Sequence, residues 1–198
     1  MEPARLPTCA FRPQLIGMMT NPSERLSGHV EVLPAAAEQE TILANLLELY
    51  AHDFSEFHDL AIGEDGRFGY KFLALYWSDP ERYPFLVKSD GHLAGLVLVK
   101  RGPAVFDSHV VWDMAEFFVL RGHRRRGIGT LMAHEIWRRF PGVWEVRVMQ
   151  SNVAANHFWA HAVSTFAVES VDPVYTEKKG ERWALYRFAS GNPRQHDP

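Results

Sequence analysis

Between Val110 and Met149 the chain passes through an apolar run, VVWDMAEFFVL, a glycine turn, RGHRRRGIGT, an amphipathic stretch, GIGTLMAHEIWRRF, and a second apolar run, VWEVRVM. No other feature narrows the fold as much. The two apolar runs read as strands. The stretch between them reads as a helix that stops before Pro141-Gly142. A strand, a helix and a strand in succession call for a crossover connection and a parallel pair. Upstream, YPFLVKSDGHLAGLVLVKRG sets Asp-Gly between two apolar runs, a hairpin signal that calls for antiparallel pairing. A chain with both must build a mixed sheet.

The remaining elements fit around this unit. HVEVLP, from His29 to Pro34, alternates and predicts a first strand. AAAEQETILANLLELYAHDF follows, with Ile42, Leu43, Leu46, Leu47, Leu49 and Tyr50 at helical spacing. SEFHDLAIGEDGRFGYKFLALYWSDPER reads as helical in pieces, broken at Gly63 and at Glu-Asp-Gly. NVAANHFWAHAV predicts a short helix, and STFAVESVDP and ERWALYRF alternate as a closing antiparallel pair. The order β, α, α, β, β, β, α, β, α, β, β predicts an α+β fold with helices flanking a mixed sheet.

A length of 198 residues suits one domain, expected over residues 29–188, with a flexible leader at 1–28 and a polar tail at 189–198. A formal net charge of -3 argues against nucleic acid or an acidic membrane as partner. Cys9 stands alone, which excludes an internal disulfide. No apolar run approaches the roughly 20 residues that span a bilayer, so the expected location is the cytoplasm.

Against this acidic background, four arginines crowd the turn RGHRRRGIGT. Glycines let a backbone approach an anion, and a helix N-terminus presents amides and positive potential to it. Flanking arginines would strengthen such a phosphate site. The stretch lacks the Lys-Ser/Thr of a P-loop and the third glycine of a dinucleotide fingerprint. Nucleic-acid binding would need a broader basic face. Taken alone, the stretch reads as a solvated basic turn capping a helix.

In context, the strand, RRRGIG, the helix, the next strand and then SNVAANHFW resemble the GNAT superfamily of N-acetyltransferases. The family signature is Gln or Arg, two residues, Gly, one residue, and Gly or Ala; Arg124, Gly127 and Gly129 match it. The resemblance implies a GNAT fold with a splayed central sheet and acetyl-CoA as cosubstrate. Backbone amides of Arg125, Arg126, Gly127, Ile128, Gly129 and Thr130 would cradle its pyrophosphate, with charge from Arg124 to Arg126. The backbone of Phe117, Phe118 and Val119 would pair with the pantetheine arm, and Asn152 would hydrogen-bond it. Where many members carry a tyrosine that protonates the leaving thiolate, this chain has Trp159. An indole N–H is no usable acid, so Trp159 and its neighbour Phe158 are assigned to the wall of the donor site.

Acetyl transfer by direct attack needs a base for the amine proton and donors for the oxyanion. Glu116 and Asp113 are the candidate carboxylates. Their spacing of three puts them on opposite faces of an ideal strand, unless a bulge intervenes. Glu116 is favoured, being nearer the thioester end among aromatics that would raise its pKa. A strand carboxylate paired with an arginine explains either residue equally well. His157 and His161 have the spacing of a metal pair, but no third ligand is evident, and no metal is expected.

In this family the first helices cover the acceptor. Asp53, Glu56 and Asp59 recur there every three residues, with Phe54, Phe57, Tyr70, Tyr76 and Trp77 nearby. An acidic, aromatic pocket suits a cationic amine such as an aminosugar, an aminoglycoside or a polyamine. A solvated acidic helix with a buried aromatic stripe fits the same residues. A protein or peptide acceptor, and an acetyl-CoA sensor without turnover, are the alternative functions. The closing strand pair could serve a homodimer.

Overall fold

The computed structural model describes residues 29–104, 109–178 and 180–191. The leader expected at 1–28, Cys9 within it, and most of the expected tail lie outside these residues. The elements run β1 (Val30–Pro34), α1 (Glu40–Phe54), α2 (Leu75–Ser78), β2 (Arg82–Ser89), β3 (His92–Pro103), β4 (Val110–Val119), α3 (Ile128–Arg139), β5 (Gly142–Met149), α4 (Val153–Ser164), β6 (Val174–Lys178) and β7 (Glu181–Ser190). They form one seven-stranded sheet in the order β1-β2-β3-β4-β5-β7-β6. Every pairing is antiparallel except β4 with β5. The expected α+β mixed sheet is therefore present, with the crossover helix α3 joining its one parallel pair.

Two apolar layers sandwich the sheet. On one face, Ile128, Met132, Ala133, Ile136 and Trp137 of α3 pack with Trp159, Ala162 and Val163 of α4 over Val97, Val99, Trp144, Val146 and Val148. Trp137 and Trp144 are fully buried. On the other face, Leu43, Leu46 and Leu47 of α1 and Tyr76 of α2 cover Leu86, Leu96, Leu98 and Phe118. The spacing of those three leucines is the helical stripe read from the sequence. The Asp90-Gly91 turn closes the β2–β3 hairpin with both residues at positive φ, 52° and 77°, as a type I′ turn requires.

Two sequence expectations are corrected. The stretch 55–78 is not helical in pieces; its one helix is the four-residue α2. Glu48 of α1 accepts hydrogen bonds from the backbone N–H groups of Phe68 (2.8 Å) and Gly69 (3.0 Å). A side chain thus takes donors that a helix would have used, and the segment folds as turns over α1. The partner of β7 is Val174–Lys178, not Ser164–Pro173. The Thr165 amide and hydroxyl both donate to the His161 carbonyl, which closes α4. Phe166 then packs against His134 and Trp137, so the aromatic that suggested a strand seals the end of a helix. β7 runs two residues past the boundary expected at 188. The Ser190 hydroxyl hydrogen-bonds the Trp137 carbonyl.

The sheet changes character between β4 and β5. Their register holds only at Trp112 with Trp144 and Asp113 with Glu145. Beyond these pairs the two strands leave the ladder, while β4 stays bonded to β3 as far as Val119. A gap between parallel strands, opening toward the glycine turn, is where the site is built.

Candidate active site

The register of β4 on β3 sets which side chains reach this site. Leu98 lies opposite Glu116, but Val99 lies opposite Met114. Ala115 is the extra residue of a β-bulge, and it has no partner in this register. The bulge shortens the effective spacing of Asp113 and Glu116 from three to two. Their partners, Lys100 and Leu98, are two apart on β3, so both carboxylates project from the α1 face.

They meet different environments there. Asp113 is 4% exposed, and its Oδ2 lies 3.3 Å from Lys100 Nζ and 2.7 Å from Arg147 Nη2. Arg147 Nε also lies 3.8 Å from Glu145, whose Oε2 lies 2.7 Å from Arg187. Lys100, Asp113, Arg147, Glu145 and Arg187 thus alternate in sign across β3, β4, β5 and β7. The arginine-paired reading of a strand carboxylate describes Asp113. Glu116 instead lines a cavity of about 210 Å³ with Leu47, Tyr50, Phe54, Phe68 and Tyr70. Burial pushes the Glu116 carboxyl above the usual range, the Tyr50 and Tyr70 hydroxyls draw it partly back, and Asp113 adds to the rise. The tyrosines stay protonated: burial raises Tyr50 and Tyr70 far above their ordinary value, and Tyr76 to about 12.

The turn after β4 begins as a 3-10 turn at Arg121–His123 and reaches α3 through the turn residues Arg124–Gly127. Gly127 has φ 77° and open space where a side chain would begin. Gly129 faces Phe158, so that an added Cβ would sit 3.0 Å from the ring. The first amides of α3 precede the intrahelical bond from Leu131 N–H to the Gly127 carbonyl and are free to meet an anion. Arg125 and Arg126 are exposed, with Arg125 at φ 59°. Arg124 is engaged: its Nε donates to the Val119 carbonyl at 2.7 Å and its Nη2 to Asp53 at 2.5 Å. Arg121 bonds Asp53 as well, at 2.6 Å. Partial burial would lift the Asp53 carboxyl, but hydrogen bonds from Arg121 and Arg124 outweigh it and hold the pKa low.

This arrangement suits a pyrophosphate joined to an extended arm. The turn supplies free amides, two exposed arginines and a helix N-terminus. The β4–β5 gap supplies a path with strand backbone on both sides. The remaining expected residues lie around that path. Phe117 stacks on Phe158 at 5.6 Å and meets Trp159 edge-on at 4.8 Å, while Trp159 is buried in the α3–α4 core. Phe118 faces α1 instead. Asn152 caps α4, its Oδ1 accepting from the Ala155 N–H at 2.9 Å.

The expected acceptor residues are dispersed. Phe54 lines the Glu116 cavity. Asp53 faces the arginines, and Glu56 and Asp59 are exposed. Tyr76 is buried beneath α1 within reach of Glu116 and Tyr70, whereas Trp77 donates its indole N–H to the Ala35 carbonyl. Tyr70, expected near the acceptor, lines the Glu116 cavity, while Tyr50, Glu48 and Arg147 gather at the site without having been singled out for it. His157 and His161 are both exposed on α4. Among the described residues no group of three metal-ligating side chains forms, and no helix is long and apolar enough to cross a membrane.

Comparison with solved structures gives the same fold. An acetyltransferase from Thermus thermophilus matches with a TM-score of 0.57 at 16% identity, over 81% of this chain and 96% of that one. A spermidine N-acetyltransferase from Vibrio cholerae, in complex with CoA and spermine, matches at 0.54 and 13%, over 81% and 95%. An aminoglycoside acetyltransferase from an uncultured soil metagenomic sample, in complex with trehalose, matches at 0.51 and 16%, over 75% and 97%. No curated protein sequence matches the chain. The model of the acetyltransferase (GNAT) family matches residues 43–163, from the first helix through the bulged strand, the glycine turn and α4. With the family's splayed sheet and turn both in place, this chain belongs to the GNAT family of acetyl-CoA-dependent N-acetyltransferases.

Proposed function

We propose that the protein moves the acetyl group of acetyl-CoA onto the primary amine of a small molecule, with Glu116 as general base. The observation that carries this reading is the bulge at Ala115. It turns a carboxylate with a raised pKa into a cavity beside the β4–β5 gap. Acetyl-CoA supplies the activated acetyl thioester.

The chain's residues do the rest. The turn from Arg124 to Thr130 binds the pyrophosphate, and the backbone of β4 from Phe117 to Val119 aligns the pantetheine arm. An amine in the cavity donates a proton to Glu116, which requires Glu116 ionised and the amine neutral at attack. Tyr50 and Tyr70, both protonated, orient that carboxylate through their hydroxyls. Asp113 is held by Lys100 and Arg147 and acts as a fixed charge behind Glu116. A leaving thiol with a pKa of about 8.5 departs as thiolate without full protonation, so a buried Trp159 in the tyrosine position is compatible with turnover.

The acidic triplet that suggested an aminosugar or aminoglycoside does not gather at Glu116: Asp53 faces arginines, and Glu56 and Asp59 face solvent. A small amine is preferred to a peptide or protein acceptor because Glu116 sits in a cavity under the 55–74 segment. The test is free-thiol release from acetyl-CoA with and without primary amines. We expect amine-dependent release that drops about 10²–10⁴-fold in Glu116→Gln, with acetyl-CoA affinity unchanged by calorimetry. Donor binding without release under any amine would support a sensor instead.

A further inference from the structure

We infer that the acceptor is a monoamine, a single ammonium on an apolar or aromatic body, rather than a polycation. The inference rests on acetyl transfer at Glu116 and concerns what fills the space around it.

The cavity walls are mainly carbon. Tyr50 and Phe54 stack at 5.7 Å along one side, and Leu47, Leu60, Phe68 and the Tyr70 ring line the space around Glu116. Such walls accept an aryl or alkyl body and offer ring faces to an ammonium. The carboxylate oxygens of Glu48 and Asp53 nearby already have hydrogen-bond partners. Glu48 reaches the same cavity, but one of its oxygens takes the Phe68 amide and the other the Gly69 amide. Asp53 is bound by Arg121 and Arg124. Beside it, at the 61–71 segment, lies a wider space of about 560 Å³ that shares Glu48, Ala61, Phe68, Gly69 and Tyr70 with it. There Glu48 and Asp65 are matched by Arg67 and Lys71.

A first ammonium therefore finds Glu116. A second within this cavity would leave water for carbon walls, or for Glu48, whose oxygens already take two backbone amides. Charge buried without a partner is strongly disfavoured. An apolar body gains from the same walls.

The experiment uses the full chain at saturating acetyl-CoA and follows free-thiol release. The amines are 2-phenylethylamine, hexylamine, ethylamine, spermidine, kanamycin and a peptide with a free N-terminus. We expect kcat/KM for 2-phenylethylamine or hexylamine to exceed that for spermidine and kanamycin by about tenfold or more. Phe68→Ala should raise KM for 2-phenylethylamine several-fold more than for ethylamine, because the longer body packs on more of that wall. Preference for spermidine, kanamycin or the peptide would overturn the inference and leave acetyl transfer standing. Equal loss of 2-phenylethylamine and ethylamine turnover in Phe68→Ala would also overturn it. Absence of thiol release with every amine would overturn the proposed function itself.

Discussion

Glu116 works against the stability of the chain that holds it. Its pKa is raised by burial, so the folded state favours the protonated form. The stabilisation from that form is complete below the ordinary carboxylate pKa and is lost as pH rises through the raised value. Above that value the ionised carboxylate is a cost, which the proposed role as general base would account for. Glu116→Gln should therefore unfold at a higher temperature than the parent at pH 7, and the gap should close below about pH 4. Equal melting temperatures at pH 7, read by circular dichroism, would mean that the carboxylate is well solvated. Asp53 shows how a residue's role can hide in the sequence. Its spacing with Glu56 and Asp59 suggested a cation pocket, but its partners lie 68 and 71 positions away. Only the fold brings Arg121 and Arg124 to it.

Among the elements, β4 and the turn after it determine the site. The turn was legible because its signals are local: the glycine spacing, the arginines and the helix that follows. Gly127 is constrained by its φ of 77°, which a bulky residue adopts only at a cost of roughly 1–3 kcal/mol. Gly127→Val should retain the far-ultraviolet spectrum of the parent and lose acetyl-CoA binding by calorimetry; normal affinity would show that the pyrophosphate lies elsewhere. The bulge in β4 was legible only as an option, because it depends on how β3 aligns opposite. That alignment brings the backbones close at Gly95, where an added Cβ would lie 2.1 Å from the Phe118 carbonyl oxygen. Gly95→Ala should lower the denaturation midpoint and impair turnover together, since the strand that carries Glu116 would have to shift. Tyr50 looked like part of a helical apolar stripe, and Tyr70 was legible only as aromatic surface near the acceptor, in an irregular segment. They converge on Glu116 only once that segment folds back over α1.

Across the whole molecule, one sheet serves two purposes. Its α3–α4 face is an apolar core with Trp137 and Trp144 at its centre. Its other face changes from leucines under α1 to the charge ladder from Lys100 to Arg187. Opening β4 from β5 removes backbone bonds at the middle of the sheet, and the ladder ties β4 to β5 and β5 to β7 on either side of that gap. Arg147 pairs with both buried carboxylates, Asp113 and Glu145. Arg147→Met should destabilise the fold by about 1–3 kcal/mol, because it removes a charged hydrogen bond while Lys100 and Arg187 still face the two carboxylates, read as a lower urea midpoint. The overall order of elements was readable because hairpin turns, glycines and apolar periodicity act over short distances. The ladder was not, since it draws on four strands far apart in sequence.

In the proposed mechanism Glu116, turned into the cavity by the Ala115 bulge, takes the proton of the attacking amine. The pH dependence of kcat/KM for parent and Glu116→Gln, with one accepted amine, tests it most directly. A base with a raised pKa is active only when ionised, so the parent profile should rise with pH through a limb above the ordinary glutamate range. That limb should be absent in Glu116→Gln, whose residual rate should follow only the ionisation of the amine. A variant with the parent's rate and the parent's limb would contradict the account and move the proton to another group.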